Sequence, residues 1–295
     1  MNKIHTPVLL KESLETLNID PNKFYIDCTL GDGGHSIEIL KKLSPKGLLL
    51  SLDHDQNAIE FVNEYYKKEV KQGNWIIKKG NFKNIQELTK DIERKPMGIL
   101  MDLGLSSRQI ENSFNRGFSY QEEDEFLDMR MDQELGVTAL DLLRALPEKE
   151  LSRLFRKYGE EKHSKRIAKE IKENISDIKT VGDLTRLIYK VVPVNSTKNP
   201  SRRVFQALRI VVNDELNNLK IGLDESFEIL HKGGRILVIS FHSLEDRIVK
   251  NYFLEKQGSG EGEMLFKRHI APTDDEKKHN PRSASAKLRI LIKKN

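Results

Sequence analysis

The chain of 295 residues is 37% hydrophobic and 32% charged, and its net charge of +5 agrees with a polyanionic partner but also follows from a lysine-rich composition. The single cysteine excludes an internal disulfide and a cysteine-rich zinc site, and the eight histidines include no pair with metal-ligand spacing, so we expect no metal. The sequence shows neither a signal-peptide pattern nor an apolar run long enough for a bilayer, so we expect a cytoplasmic protein without membrane contact.

A strand, a glycine-rich turn and a helix form the first recognisable unit of the sequence. The run from Phe24 to Leu30 is apolar and rich in β-branched and aromatic residues, which is typical of a buried strand. Gly31, Gly33 and Gly34 interrupt this run, and Ser36 lies at the start of a stretch with helical periodicity. Glycines allow backbone N–H groups to approach a ligand closely. The pattern predicts the first unit of a nucleotide-binding α/β fold.

Three further predicted strands end in residues that could contact a nucleotide. Asp53 lies about 20 residues after the glycine turn, where a carboxylate accepts hydrogen bonds from ribose, although a helix cap is the alternative. Phe82 follows the third strand and could lie against a purine ring or pack in the core. Asp102 ends the fourth strand. Because the carboxyl ends of parallel strands meet at one edge of a sheet, we expect all of these residues to lie there.

The pattern changes near residue 112, where an aromatic and basic segment precedes a long stretch of helical periodicity. One predicted helix of this stretch carries cations largely on one face: Lys162, Lys165, Arg166, Lys169 and Lys172. Such a face could follow RNA phosphates, but a solvated helix face is the commoner explanation. A long helix over Phe205–Leu230 and an apolar strand over Arg235–Phe241 then restore the α/β pattern. We therefore predict a domain formed by residues 1–111 and 205–295, interrupted by a helical insert over residues 112–204.

The glycine turn favours S-adenosylmethionine over NAD as the cofactor. The turn does not complete the dinucleotide pattern G-x-G-x-x-G, because its sixth position is Ser36. S-adenosylmethionine has no phosphates; it needs a glycine turn for its amino-acid moiety, an acid for its ribose and contacts for adenine. Asp27 and the acids at the strand ends fit these needs. A nicotinamide-dependent oxidoreductase remains the alternative at this point.

Longer motifs extend over almost the whole chain. They are His5–Leu10, Thr29–Ser36, Asp102–Ser107, Arg116–Ser119, Leu127–Asp132, Phe205–Ile210 and Ser240–Lys250. This set resembles the RsmH (MraW) family of bacterial methyltransferases, which act on the N4 amino group of a cytosine in 16S ribosomal RNA. The resemblance implies a class I, Rossmann-like methyltransferase domain with a helical insert. It also implies the small ribosomal subunit as a partner and suggests a homodimer.

The resemblance implies a set of site residues as well. Matched to this sequence, the cofactor-binding positions are Gly33, Gly34, His35, Asp53, Phe82, Asp102 and Gln109. Only the resemblance points to His35 and Gln109. The chain departs from the usual family pattern at Arg108, where proline is usual, in the segment that begins at Asn199, and at Ala284, but none of these changes removes a cofactor ligand.

The chemistry of cytosine adds expectations about catalysis. The exocyclic amine is a poor nucleophile because its lone pair is delocalised, so hydrogen-bond acceptors must draw it toward sp³ character. We expect these acceptors at Asp102 or in the loop that follows it, although Asp102 could instead contact only the cofactor. The base must be unpaired or flipped out to be reached, and the candidates for stacking on it are Phe118, Tyr120 and Phe241. The insert, with Arg116, Arg130 and its basic helix face, is expected to face RNA. A non-catalytic RNA-assembly factor on the same fold is a further alternative.

Overall fold

A computed structural model describes residues 7–111, 115–192 and 199–294. The start of the His5–Leu10 motif and the predicted insert boundary at residue 112 lie outside the described residues. The strands are β1 Phe24–Asp27, β2 Leu48–Asp53, β3 Trp75–Lys79, β4 Gly98–Asp102, β5 Arg235–Ser240, β6 Gly262–Met264 and β7 Lys287–Lys293. The helices are α1 Leu10–Leu17, α2 Gly34–Leu40, α3 Gln56–Tyr65, α4 Lys67–Val70, α5 Ile85–Thr89, α6 Ser107–Glu111, α7 Ala139–Ala145, α8 Glu148–Tyr158, α9 Ser164–Glu173, α10 Val181–Val191, α11 Pro200–Val212, α12 Glu215–Ile229, α13 Ser243–Gly258 and α14 Asp274–His279. Among the described residues, no helix combines the length and the apolar character needed to cross a bilayer.

The strands form a seven-stranded sheet in the order β3-β2-β1-β4-β5-β7-β6. The first five strands in the chain are parallel, whereas β7 is antiparallel to both β5 and β6. Strand addition changes direction between β1 and β4, and ligands of doubly wound sheets bind at such a switch point. This topology confirms the predicted Rossmann-like class I methyltransferase fold.

Alternate residues of the central strands pack on opposite faces of the sheet. Tyr25 and Leu49 belong to one apolar cluster, while Ile26 and Leu50 belong to the other. Helices α1, α2 and α3 contribute to the first cluster, and helices α12 and α13 contribute to the second. Because both faces are covered, the strands are apolar runs without polar alternation.

The chain divides into two compact units. The first contains residues Met1–Ser106 and Leu216–Asn295, and the second contains Ser107–Glu215. The second boundary lies later than the predicted residue 204, because the segment predicted as one helix over Phe205–Leu230 is two helices. The backbone is left-handed at Asp214, between α11 and α12, with a φ of 50°. Helix α11 packs on α8, α7 and α10 and therefore belongs to the second unit.

The second unit has an apolar core built from its own helices. Leu154, Ile167, Leu184 and Leu208 are fully or almost fully buried. The basic residues of α9 lie opposite this core: Lys165, Arg166 and Lys169 are exposed. Lys172 instead donates to the carbonyl oxygens of Leu143 and Arg144 at the end of α7. The predicted separation of apolar and basic faces is therefore present, with Lys172 in a structural role.

Candidate functional site

The carboxyl ends of β1, β2, β3 and β4 lie at one edge of the sheet. The strand register pairs Asp27 with Ser51 on β2 and with Leu100 on β4, so these parallel strands end within two residues of one another. The structure thus brings the glycine turn, Asp53, Phe82 and Asp102 to the same edge of the first unit, beside the switch point.

A buried hydrogen-bond network below this edge fixes the start of the glycine turn. One carboxylate oxygen of Asp27 accepts a 2.6 Å hydrogen bond from the Ser36 hydroxyl, and the other accepts the backbone N–H of Thr29 at 3.1 Å. The Ser36 hydroxyl also lies 2.8 Å from that of Ser51, which accepts the indole N–H of Trp75 at 2.9 Å. Asp27 is fully buried. Asp27 therefore links the end of β1 to Ser36 in the first turn of α2. Both of its carboxylate oxygens accept hydrogen bonds from the protein itself.

The three glycines of the turn have different reasons to lack a side chain. Gly31 and Gly33 have left-handed backbones, with φ values of 49° and 80°, which other residues adopt only with strain. Gly34 has an ordinary backbone, but an added Cβ would lie 2.4 Å from Cγ of Pro7. Packing of the N-terminal segment therefore requires glycine at Gly34, independently of any ligand.

Asp53 lies at the end of β2 and touches the glycine turn directly. Its Oδ2 accepts the Gly31 N–H at 2.9 Å, and its Oδ1 accepts the Asp55 N–H at 2.9 Å. Burial raises the pKa of Asp53, although His54 and these two N–H groups act in the opposite direction. The helix cap considered for Asp53 is provided by Asp55, whose side chain accepts the Asn57 N–H at 3.1 Å at the start of α3. Asp53 therefore does not cap α3; its side chain links the end of β2 to the glycine turn.

Asp102 and His35 face each other across the switch point. Oδ2 of Asp102 lies 3.6 Å from Nδ1 of His35, and the Asp102 N–H donates to the Thr29 hydroxyl at 2.7 Å. Within the described residues, Oδ1 of Asp102 and Nε2 of His35 are buried without hydrogen-bond partners. Burial raises the pKa of Asp102 well above its usual range, and the charges of Asp27 and Glu245 raise it further. Burial lowers the pKa of His35, against the opposing effects of Asp27 and the Val8 backbone.

Phe82 begins a short 3₁₀ helix, Phe82–Asn84, directly beyond β3. Its ring lies against Gly222 of α12, where an added Cβ would be only 2.3 Å from Cδ2 of the ring. Phe82 is partly buried and packs at the margin of the second apolar cluster. Both readings of this aromatic are therefore compatible with its place: it packs on the core, and it lies at the ligand-binding edge.

Gln109 lies on α6 in the second unit and is buried, at 8% exposure. Two cations that we expected to face RNA have structural roles in that unit. Arg116 is 2% exposed and lies 5.0 Å above the ring of Phe118. Arg130 forms a two-point ion pair with Asp128. Both guanidinium groups thus have partners within the second unit, and contact of these two arginines with RNA stays a prediction.

The aromatic candidates for stacking on the target base are also packed. Phe118 is buried beneath Arg116, and Tyr120 makes an edge-to-face contact with Phe205 at 6.2 Å between ring centroids. Phe241 is partly buried and packs against the first apolar cluster. Of the three candidates, Phe241 belongs to the unit that carries the glycine turn and Asp102.

Sequence reasoning did not identify Glu245 as part of this site. It lies in the first turn of α13 and is 3% exposed, and its Oε2 accepts the backbone N–H groups of Phe241 and His242 at 2.9 and 3.2 Å. Through its charge, Glu245 raises the pKa of Asp102. The signal was present in the capping pattern His242-x-x-Glu245 after an apolar strand, which places a carboxylate at the end of β5.

The residues at this edge fit S-adenosylmethionine. Asp102 is 23% exposed and has hydrogen-bonding capacity left over within the described residues, as does the imidazole of His35. A positively charged amino group is a suitable partner for such a carboxylate. The N–H groups of Gly31 and Gly33 donate to Asp53 and to the Leu30 carbonyl, whereas Gly34 begins α2, and a helix N-terminus favours a carboxylate. Asp53 offers acceptors for ribose hydroxyls, and Phe82 offers an aromatic surface.

Comparisons with known proteins point in the same direction. A model of the MraW methylase family matches residues 2–294. The chain is 43% identical to the ribosomal RNA small subunit methyltransferase H of Fusobacterium nucleatum subsp. nucleatum, over 98% of this chain and 97% of that protein. It is 45% identical to the protein of the same name from Dictyoglomus thermophilum, with the same coverage of 98% and 97%. The alignment with a solved structure of an rRNA methylase from Streptococcus thermophilus covers 96% of this chain and 93% of that one, with 9% identity and a TM-score of 0.46.

Proposed function

The chain belongs to the MraW methylase family, and from this premise we propose that it methylates the N4 amino group of a cytosine in 16S ribosomal RNA. It is an S-adenosylmethionine-dependent rRNA methyltransferase. The observation that carries this assignment is the family match over residues 2–294 together with the cofactor-compatible edge of the sheet. A nicotinamide-dependent oxidoreductase and a non-catalytic assembly factor are not favoured, because neither explains the family match together with a set of intact ligand positions.

We propose specific roles for the residues at the sheet edge. Asp53 accepts hydrogen bonds from the ribose hydroxyls, and Phe82 contacts the adenine. The N–H group of Gly34 holds the carboxylate of the amino-acid moiety, and Asp102 holds its amino group. Gly33, whose N–H donates to the Leu30 carbonyl, lets the backbone of the turn approach the ligand. His35 lies beside Asp102 and orients its carboxylate. The resemblance to the family also assigns a cofactor-binding role to Gln109.

A second role of Asp102 concerns the cytosine amine. When bound, S-adenosylmethionine supplies an electrophilic methyl group. The amine must lose a proton as its new N–C bond forms, and a carboxylate with a raised pKa is a suitable acceptor for that proton. The same carboxylate would draw the amine toward sp³ character by accepting its hydrogen bond.

The exposed basic face of α9 is the part of the insert that fits RNA. Lys165, Arg166 and Lys169 are exposed, whereas Arg116 is buried and Arg130 is paired with Asp128. We propose that this face contacts phosphates while the target base is flipped out of its stack. The proposal also includes a cytoplasmic location, 16S ribosomal RNA of the small ribosomal subunit as the partner, and a homodimer.

Cofactor binding and methyl transfer can be measured separately to test these roles. We expect the wild-type protein to bind S-adenosylmethionine but not NAD in calorimetry, and to transfer labelled methyl groups to RNA of unmodified small subunits. In Asp102→Asn, loss of binding would show a cofactor ligand, whereas retained binding with lost transfer would show action on the amine. Full binding and full transfer in Asp102→Asn would contradict both roles. Binding of NAD in place of S-adenosylmethionine would contradict the function itself.

A further inference from the structure

A short loop interrupts the outer edge of the sheet beside β7. The Leu265 N–H donates to the carbonyl of Ile290, and Ile270 exchanges both backbone hydrogen bonds with Leu288. The two pairings are two residues apart on β7 but five residues apart on the partner segment, Leu265–Ile270. The four residues between, Phe266–His269, are excluded from the ladder and bulge outward. We refer to them as the 266–269 loop.

The loop presents an exposed aromatic ring next to two exposed cations. Phe266 is 48% exposed, and Lys267 and Arg268 are also exposed. Within the described part of the chain, neither cation takes part in an ion pair. An aromatic platform flanked by cations is the combination with which proteins bind single-stranded nucleic acid, because every base has a face that can stack.

The base of the loop is positively charged. Lys287 and Arg289 of β7 both contact Asp246, at 3.1 and 2.7 Å, so two cations face one carboxylate. Burial acts to raise the pKa of Asp246, but its hydrogen bonds from Arg289 and Lys287 outweigh burial and lower it. His269, within the loop, has a pKa lowered by burial. At neutral pH the loop and its base therefore carry an excess of positive charge, which suits a phosphate backbone.

The strand register places this loop beside the proposed methyl-transfer site. Asp102 is paired with Ile239 of β5, Ile239 is paired with Leu288 of β7, and Leu288 is paired with Ile270. Asp102 and Ile270 therefore lie in one row across the sheet, three strand spacings apart, which corresponds to roughly 14 Å. A few nucleotides of an extended strand can cover this distance.

We propose that the 266–269 loop binds single-stranded 16S ribosomal RNA next to the target cytosine. Phe266 stacks on an unpaired base, and Lys267 and Arg268 hold the adjoining phosphates. This inference rests on the proposed function, because it takes its RNA partner from that function. It adds a second contact surface, on the first unit, to the basic face of α9.

The affinity of the full-length protein for 16S ribosomal RNA tests the proposal. We expect Phe266→Ala to weaken RNA binding about tenfold, because stacking of a base on an aromatic ring is strong. Phe266→Trp should bind RNA as the wild-type protein does, because such stacking tolerates a different ring. The double variant Lys267→Ala/Arg268→Ala should lower the slope of log affinity against log salt by about 1.4, since two phosphate contacts on a single strand are lost. Binding of S-adenosylmethionine should be unchanged in all three.

Helix α3 and the start of α4 offer a matched control. Tyr65 is 51% exposed and is followed by the exposed Lys67 and Lys68, but α3 runs away from the carboxyl edge of the sheet. Tyr65→Ala and Lys67→Ala/Lys68→Ala should therefore leave RNA affinity and its salt slope unchanged. Equal effects of the control and loop variants would overturn the proposal, as would unchanged RNA binding in the loop variants.

Two further outcomes separate this inference from the function on which it rests. If the loop variants bind protein-free 16S ribosomal RNA normally but bind assembled subunits weakly, the loop contacts a ribosomal protein and the proposal is wrong. If the wild-type protein transfers no methyl group to RNA, the proposed function fails. RNA binding by the loop variants is measured without transfer, so it still decides the proposal for the loop.

Discussion

At the scale of single residues, the hydrogen bonds of Asp27 show how one buried carboxylate shapes the cofactor-binding turn. Its Oδ2 accepts the Ser36 hydroxyl at 2.6 Å in a fully buried environment. A buried acceptor that loses its donor retains most of its desolvation cost. We therefore expect that removal of any donor from this hydrogen-bond network lowers the stability of the fold.

We expect Ser36→Ala to lower the free energy of unfolding by about 1–3 kcal/mol, because Asp27 and Ser51 each lose a partner. Urea denaturation measures this change. Ser226 is the matched control: it is fully buried on α12, and its hydroxyl has no hydrogen-bond partner within the described residues. Ser226→Ala should change stability by no more than about 0.5 kcal/mol. Equal losses in the two variants would show that the Asp27 network contributes nothing specific.

The raised pKa of Asp102 predicts how activity depends on pH. The ionised carboxylate is the form that accepts hydrogen bonds, so methyl transfer should be lost as the pH falls through a midpoint above the ordinary aspartate value of about 3.9. Glu245→Gln removes one of the charges that raise this pKa, and the midpoint should move to lower pH. Single-turnover rates at subsaturating cofactor, which report the ionisation of the free enzyme, measure both midpoints. If Glu245→Gln leaves the midpoint unchanged, ionisation of Asp102 does not determine the pH dependence of methyl transfer.

The same pKa shift has a consequence for stability. The folded state binds the Asp102 proton more tightly than the unfolded chain, so ionisation of Asp102 destabilises the fold as the pH rises through the interval between the two pKa values. The loss grows with pH until the pKa of the folded state is passed, and Asp102→Asn removes it. We therefore expect Asp102→Asn to raise the melting temperature at pH 7 while it abolishes transfer. A lower melting temperature at pH 7 would contradict this account.

At the scale of elements, the contact between α12 and the residue after β3 positions the predicted adenine-binding aromatic. Gly222→Ala would place a Cβ 2.3 Å from Cδ2 of Phe82, so the ring must move. We expect the dissociation constant for S-adenosylmethionine to increase about tenfold, as overpacking of this kind costs 1–3 kcal/mol. Calorimetry measures the constant. Gly258→Ala at the end of α13, where an added Cβ meets nothing within 4 Å, should leave it unchanged. An unaltered constant in Gly222→Ala would remove Phe82 from the cofactor site.

The sheet and its ligand-binding edge could be predicted from the sequence, whereas some element boundaries could not. Strands β1, β4 and β5 are buried on both faces, so they appear as apolar runs that glycines and acids interrupt. The break between α11 and α12 has no such signal, because both helices are amphipathic and Asp214 adopts its left-handed backbone without a glycine. Strand β6 has only three residues, too few for periodicity to appear.

The candidate site shows the same limit at the level of side chains. Spacing and strand ends located Asp53, Phe82 and Asp102, because parallel strands bring their carboxyl ends together. Spacing could not show that Pro7 requires Gly34, or that Arg116 lies buried against Phe118. Both depend on contacts between segments distant in the sequence or on burial, which a local pattern does not record.

At the scale of the whole molecule, the chain combines a Rossmann-like unit with a helical unit inserted between β4 and α12. The first unit carries the glycine turn, Asp53, Phe82 and Asp102, and it also carries the 266–269 loop. The second unit carries Gln109 and the basic face of α9. Basic surface is thus present on both units of a chain with a net charge of +5, as a long RNA substrate would require.

The central claim is methyl transfer to cytosine N4, and nucleoside mass spectrometry tests it most directly. The wild-type protein is incubated with labelled S-adenosylmethionine and with small ribosomal subunits from cells that lack this activity, with free 16S ribosomal RNA in parallel. After digestion, we expect the label in N4-methylcytidine, and Asp102→Asn should give none. Label in another nucleoside, or no label while cofactor binding is intact, would contradict the account.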